Sequence, residues 1–139
     1  MGAAGPARAL WRRTEVIAPG GRLGFALAEA LRERLGRAGG TADHRLTADL
    51  TLTESGIAIT ADAAVTRFVL EGESRWRLAG PLAGPEGLEG ITESTSAYSA
   101  TASLYATRAA RRDAEGRVAR DLAARIVSAA LAGLERRGA

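Results

Sequence analysis

The chain has 139 residues, 46% of them hydrophobic, which suits one domain with a core of aliphatic side chains and Ala. It contains no Cys, so a disulfide framework, a thiolate zinc site and a cysteine nucleophile are excluded. The single His, His44, excludes multi-His metal sites and leaves little for serine–histidine catalysis. The composition therefore disfavours an enzyme, and we predict no catalytic residues, no metal site and no cofactor.

Charge is distributed unevenly along the sequence. All 19 Lys and Arg residues are Arg, and the chain contains no Lys. Residues 1–37 carry seven Arg against three acids, residues 38–107 four against nine, and residues 108–139 eight against four. Two basic ends that flank an acidic middle fit binding to nucleic acid or another anionic surface. They also fit helices with solvated, Arg-rich outer faces, so the charge pattern alone leaves the function open.

Targeting segments are absent from the residues of this chain. No stretch reaches the roughly 18 apolar residues that a membrane span needs. Residues 1–6 lack the apolar region of a signal peptide. The protein is therefore expected either to be cytoplasmic or to begin after a removed targeting segment.

The first half of the chain predicts a strand, a helix and a second strand. Residues 9–18 alternate as in a short strand, which Pro19-Gly20-Gly21 ends. Residues 22–36 predict an amphipathic helix, with apolar side chains at helical spacing at Leu23, Leu27, Ala30, Leu31 and Leu35. Residues 45–53 alternate as in a half-buried strand, and the following Glu54-Ser55-Gly56 is typical of a turn.

The second half predicts two further strands and a long helix. Residues 57–78 favour a long extended segment whose even-numbered side chains form the core face, with a bulge at Gly72. Gly and Pro make residues 79–90 a loop. Residues 91–99 favour a polar edge or partner-facing strand, whose candidate partner-facing side chains are Thr92, Ser94, Ser96 and Tyr98. Residues 104–134 carry apolar rows at helical spacing.

These elements follow the order β-α-β-β-β-α. An α+β fold in which two helices pack on one face of a mainly antiparallel four-stranded sheet satisfies this order most economically. We predict a single domain over residues 9–136, preceded by a flexible N-terminal remnant at residues 1–8.

Motifs for chemistry are weak. The serines do not lie in a nucleophile elbow, His44 beside Asp43 is expected in a solvated loop, and the glycines of residues 80–90 lack a phosphate-loop pattern. A nucleic-acid-binding module remains an alternative because the last helix is rich in Arg, at Arg108, Arg111, Arg112, Arg117, Arg120 and Arg125. The scarcity of aromatic stacking groups counts against it.

The order of motifs from about residue 45 to 134 resembles the LptE/RlpB family of lipopolysaccharide-assembly lipoproteins. The similar stretches are residues 45–60, 61–78 and 95–131. Within them, Thr66-Arg67-Phe68 is similar to the pattern of the family's third strand. The passage Tyr98…Tyr105-Ala106-Thr107…Arg112-Asp113-Ala114 is similar to the approach to its last helix.

The resemblance implies a non-enzymatic lipoprotein of the outer membrane that faces the periplasm. Such proteins plug the LptD β-barrel, assist its assembly and contact lipopolysaccharide. They carry a lipid-modified Cys behind a signal peptide, and both are expected upstream of this chain. A generic periplasmic interaction domain of the same fold remains a second alternative.

Three Arg are the candidate contacts for lipopolysaccharide. Arg67, Arg75 and Arg77 share the strand face opposite the core face, and a guanidinium can bind phosphate through two hydrogen bonds. The alternative is that they pair with neighbouring acids of the sheet, at Glu71, Glu73 or Glu93.

Overall fold

The computed structural model describes residues 4–59 and 65–138. These residues form three helices and five strands. In chain order they are α1 (Ala4–Leu10), β1 (Thr14–Ile17), α2 (Gly21–Leu35), β2 (His44–Ala48), β3 (Thr51–Ile59), β4 (Val65–Ala79), β5 (Leu88–Ser99) and α3 (Leu104–Gly138), with a 3-10 turn at Pro81–Ala83. The predicted α+β class is confirmed, whereas the sheet differs in detail from the prediction.

The sheet is mixed, and β4 is its central strand. Antiparallel to β4 lie β5 along one edge and, in tandem along the other edge, β2 and β3. β1 pairs with β2 in parallel, so β1, α2 and β2 form a β-α-β unit. The sheet has five strands rather than the expected four. It is mainly antiparallel as predicted, but one pair is parallel, because a helix between two adjacent strands carries the chain back to the same end of the sheet.

One predicted strand is divided at Asp49. The backbone N–H of Asp49 donates to the carbonyl oxygen of Arg75 at 3.0 Å, and the N–H of Arg75 donates to Asp49 Oδ1 at 2.7 Å. The side chain thus replaces a backbone acceptor where β2 ends, which separates it from β3. The predicted turn at Glu54-Ser55-Gly56 is wrong, since these residues pair with β4 inside β3.

The core lies on one side of the sheet, beneath α2 and α3. The even-numbered side chains of β4 face it as predicted, and Leu70, Trp76 and Leu78 are buried there. The helices contribute the apolar rows that include Leu27, Leu31, Leu122 and Ile126, all fully buried. No described element covers the opposite face of the sheet.

Gly72 lies where α3 crosses β4 closely. It pairs in regular register with Leu52 and Ser94, so the predicted bulge at this position is wrong. A Cβ atom at Gly72 would lie 2.4 Å from Val118 Cγ1 and 3.3 Å from Leu122 Cδ1. The missing side chain therefore sets the distance between the helix and the sheet.

Several predicted elements also begin or end at residues other than those expected from the sequence. α1 includes residues 4–8 of the segment predicted as a flexible remnant, and its last residue Leu10 is buried. β1 consequently begins at Thr14 rather than at residue 9. β5 begins at Leu88, inside the predicted loop. Among the described helices, none combines the length and apolarity needed to cross a bilayer.

Candidate binding face

The helix-free face of the sheet carries the three candidate Arg. Arg67, Arg75 and Arg77 are exposed there, on the face that the alternation of β4 predicts. Arg75 and Arg77 are neighbours on this face. Arg67 lies eight residues away along the strand, which corresponds to about 26 Å. The structure therefore brings two of the three together and places the third near the other end of β4.

A groove of about 880 Å³ opens beside Arg75 and Arg77. Its apolar part includes Ile17 and Ile91, which are both exposed, and Pro19. Two strand pairings bring the apolar side chains of the groove together. The parallel pairing of β1 with β2 places Ile17 beside Thr47, and the antiparallel pairing of β5 with β4 places Ile91 beside Arg75. The parallel pairing, which sequence reasoning missed, is therefore what completes the groove.

The two Arg of the groove are held differently. Arg77 Nη2 donates to the carbonyl oxygen of Glu86 at 2.7 Å, and Arg77 Nη1 lies 3.9 Å from Glu89 Oε2. Arg75 is fixed through its backbone to Asp49, and its guanidinium has no ion pair within the described residues. Arg67 Nη1 donates to Ser99 Oγ at 3.3 Å. Among the residues that the structure describes, the one acid that pairs with these Arg is thus Glu89, which is not one of the three acids expected from the sequence.

The chemistry of the groove is amphipathic. One exposed guanidinium and one partly engaged guanidinium border an aliphatic wall, which suits a ligand that carries both an anionic group and apolar surface. Further along the same face, Glu73 lies directly opposite Glu93, with Glu71 two residues away. The face therefore changes from basic to acidic along β4. The described residues hold no group of His, Asp and Glu suited to a metal ion.

The four candidate partner-facing residues lie on the other side of the sheet. Thr92, Ser94, Ser96 and Tyr98 face the helices and bond within the chain, which corrects their expected orientation. Thr92 Oγ1 accepts from Trp76 Nε1 at 3.0 Å, and Ser96 Oγ accepts from Arg117 Nε at 3.1 Å. Ser94 donates to Asp121 at 2.7 Å, and this hydrogen bond lowers the pKa of the Asp121 carboxyl.

Tyr98 lies at the end of the core, where it contacts Phe68 and Glu54. Its ring stacks on Phe68 at a centroid distance of 5.2 Å, and its hydroxyl donates to Glu54 Oε2. Burial, reinforced by the Glu54 carboxylate, raises the pKa of Tyr98 to about 12. This value lies above the ordinary value of 10.0, so folding favours the protonated phenol.

We expect the contribution of Tyr98 to stability to be complete below about pH 10 and to be lost as the pH rises through about 12. The variant Tyr105→Phe leaves Tyr98 as the one remaining Tyr. Its phenolate absorbance should appear near pH 12 in the folded protein. Adding Glu54→Gln should lower that midpoint. Ionisation near pH 10 in the folded Tyr105→Phe protein would contradict the assignment.

Half of the six candidate Arg residues of α3 are engaged within the chain. Arg117 pairs with Asp113, and Arg125 pairs with Asp121 at 2.8 Å. Arg111 lies 3.3 Å from Glu54 and 3.6 Å from Glu115. The Arg-rich helix thus uses three of the six residues that suggested nucleic-acid binding for its own packing.

His44 is buried rather than solvated. Its Nδ1 lies 2.8 Å from Asp43 Oδ1, and its Nε2 accepts the backbone N–H of Leu82 at 3.2 Å. Asp43 also accepts from Arg13 Nη2 at 2.8 Å. Hydrogen bonds from Arg13 and then His44 lower the pKa of Asp43 to about 2. The imidazole therefore ties the 3-10 turn to β2, a structural role.

A family model matches most of the chain. The model described as LptE, Lipopolysaccharide-assembly, matches residues 12–130. None of the curated proteins matches the sequence at a significant level.

The fold is similar to those of solved lipoproteins. A candidate lipoprotein from Caulobacter crescentus CB15 shares 27% identity at a TM-score of 0.74, over 95% of this chain and 97% of that chain. Rare lipoprotein B from Shewanella oneidensis shares 17% at 0.65, over 89% and 96%. A minor lipoprotein from Acinetobacter baumannii shares 13% at 0.57, over 88% and 92%. At the two lower identities the likeness shows the fold alone.

Proposed function

The chain belongs to the LptE lipopolysaccharide-assembly family, and we propose from this premise that it is the assembly partner and internal plug of the LptD β-barrel. The family is one of non-enzymatic lipoproteins that assemble lipopolysaccharide. The proposal places the domain at the outer membrane on its periplasmic side. A lipid-modified Cys upstream of Met1 would anchor it.

The groove beside Arg75 and Arg77 is the observation that carries the proposed contact with lipopolysaccharide. This ligand combines phosphate groups with acyl chains, and the groove combines guanidiniums with an aliphatic wall. Arg75 is held by its backbone and keeps its guanidinium exposed, so its charge is available without breaking an ion pair to any residue that the structure describes. For Arg77 to bind a phosphate group, its guanidinium has to give up the hydrogen bond to the Glu86 carbonyl oxygen and the long contact with the Glu89 carboxylate.

Arg67 enters the proposal in a separate role. At about 26 Å from Arg75 along the strand, it cannot bind the same phosphate group. We assign the primary contact to Arg75 and Arg77 and give Arg67 a second, independent contact further along the same ligand-facing surface.

The double variant Arg75→Gln/Arg77→Gln should bind purified lipopolysaccharide at least about 10-fold more weakly, because charge-assisted hydrogen bonds to phosphate are lost. Arg67→Gln alone should weaken binding by a smaller factor. Fluorescence or calorimetric titration at constant salt measures both effects.

A matched control separates the groove from general charge effects. Arg120→Gln/Arg136→Gln removes the same charge from exposed positions on α3. It should leave the affinity close to that of the unchanged protein. Equal losses in the two double variants would show that net charge, rather than the groove, controls binding.

A further inference from the structure

The first turns of α3 extend beyond the start of α2. α2 begins at Gly21, and Arg22 in its first turn reaches Glu115 of α3 at 2.5 Å. The first nine residues of α3, Leu104–Arg112, are exposed or half-buried throughout, and the acid that follows them, Asp113, pairs with Arg117. We call them the projecting segment.

The projecting segment continues the packing face of α3 without a neighbouring helix. Arg112 lies seven and eleven residues before the buried Ala119 and Ala123, and such spacings return to the same side of a helix. By the same geometry, Tyr105 and Arg108 lie on that side. A face that is buried further along α3 is thus open here.

The side chains of this segment are apolar at its tip and basic behind it. Leu104 is 64% exposed and Tyr105 83% exposed, which is unusual for large apolar side chains. Residues 100–112 contain three Arg and no acid. Arg108 and Arg112 have no ion pair within the described residues, whereas Arg111 is engaged with Glu54 and Glu115.

The start of the helix is already bonded within the chain. Ser103 Oγ accepts the backbone N–H of Ala106 at 3.2 Å, and Thr107 Oγ1 accepts that of Thr101 at 2.9 Å. Thr101 Oγ1 also accepts the N–H of Ser103. These caps satisfy polar groups that would otherwise oppose transfer of the tip out of water.

The spacing along the helix axis matches the layers of a bilayer surface. Arg108 lies about 4.5 Å behind Tyr105 and Arg112 about 10.5 Å behind it, at the rise of an α-helix. A headgroup layer is about 5–8 Å thick per leaflet. With Leu104 and Tyr105 at the hydrocarbon boundary, Arg108 would lie within the headgroup layer and the backbone of Arg112 just outside it. Helical side chains lean toward the N-terminus, so the Arg112 guanidinium would still reach the phosphate level, where Tyr and Arg are favoured.

We propose that the projecting segment docks, tip first, onto the headgroup layer of an anionic phospholipid bilayer. The absence of acids in residues 100–112 makes its charge complementary to such a surface. This contact is separate from the groove, which lies at the other end of β4. It would orient the domain relative to the membrane, and it does not depend on the proposed contact with lipopolysaccharide.

The full chain contains no Cys, so a single label can report on the segment. Tyr105→Cys carries an environment-sensitive fluorophore, and Arg120→Cys carries the same fluorophore as a matched site. Vesicles of phosphatidylcholine alone, vesicles that also contain phosphatidylglycerol, and lipopolysaccharide micelles are titrated in turn. The label at position 105 should shift to the blue with the phosphatidylglycerol vesicles, while the label at position 120 should not.

The charge requirement is tested by vesicle flotation at low salt. Arg108→Gln/Arg112→Gln should bind the phosphatidylglycerol vesicles about 30-fold more weakly, the loss expected for two Arg near an anionic surface. Arg120→Gln/Arg136→Gln should lose much less. Equal losses in the two variants, or a label at position 105 that responds to lipopolysaccharide but not to the vesicles, would overturn the proposal.

Discussion

Replacing Gly72 by Val is expected to lower the free energy of unfolding by about 3 kcal/mol or more. The new Cβ would lie 2.4 Å from Val118 Cγ1, and Val118 is itself buried between α3 and the sheet. A β-branched side chain in a helix has little rotamer freedom, so the helix must move away from β4. Urea denaturation measures the loss as a lower midpoint at an unchanged slope.

Two further variants isolate the cause. Gly39→Val places the same side chain at a position with no heavy atom within 4 Å of the new Cβ, and it should change stability by less than about 0.5 kcal/mol. Adding Val118→Ala to a Gly72→Ala protein should recover part of the loss that Gly72→Ala causes. A Gly72→Val protein as stable as Gly39→Val would refute the close approach.

The double variant Arg22→Met/Arg111→Met is expected to lose about 3 kcal/mol of stability, at the low end of the range for breaking a buried ion pair. The side chain of Glu115 is only 3% exposed, and its described partners are Arg22 at 2.5 Å and Arg111 at 3.6 Å. Removing both leaves a buried carboxylate without a cation. Because the two Arg are about half exposed, solvent reduces the cost.

Restoring stability without the charges tests this account. Adding Glu115→Leu removes the unpaired carboxylate, so the triple variant should recover most of the loss measured by thermal or urea unfolding. Arg120→Met/Arg136→Met removes two exposed Arg of α3 and should change stability little. A triple variant no more stable than the double variant would show that the Arg stems, rather than the carboxylate, account for the effect.

Much of the fold follows from alternation and helical spacing. The even-numbered face of β4 is predictable because Phe68, Leu70, Trp76 and Leu78 alternate mainly with charged residues, and burial on one side favours that pattern. The two long helices are predictable for the same reason. Their apolar rows leave one arrangement, in which both cover a single face of the sheet.

The orientation of β5 is not predictable from its own residues. Ser and Thr occur on both of its faces, so no hydrophobic alternation identifies the buried one. The register of β5 against β4 determines which of its faces is buried, since Ser96 pairs with Leu70 and Ser94 with Gly72. The even-numbered side chains therefore point towards α3. Small polar residues suit this face because the helix approaches closely and supplies Asp121 and Arg117 as partners.

Only part of the groove could be predicted from the sequence. Alternation along β4 places Arg75 and Arg77 on the open face, but it cannot show which other strands border them. The wall at Ile17 depends on the parallel pairing of β1 with β2. The order strand, helix, strand was a usable signal for that pairing, because such units are parallel and right-handed when their strands lie in one sheet.

Co-purification with the LptD β-barrel tests the proposed function most directly. The chain is produced behind a signal peptide and a lipid-modifiable Cys, together with LptD from the same organism, and the barrel is isolated from outer membranes by a tag on LptD. We predict an equimolar complex in which the heat-modifiable, folded form of LptD depends on this chain, and which Arg120→Gln/Arg136→Gln leaves intact. Folded LptD that is isolated in equal yield without the chain, and never with it, would contradict the account.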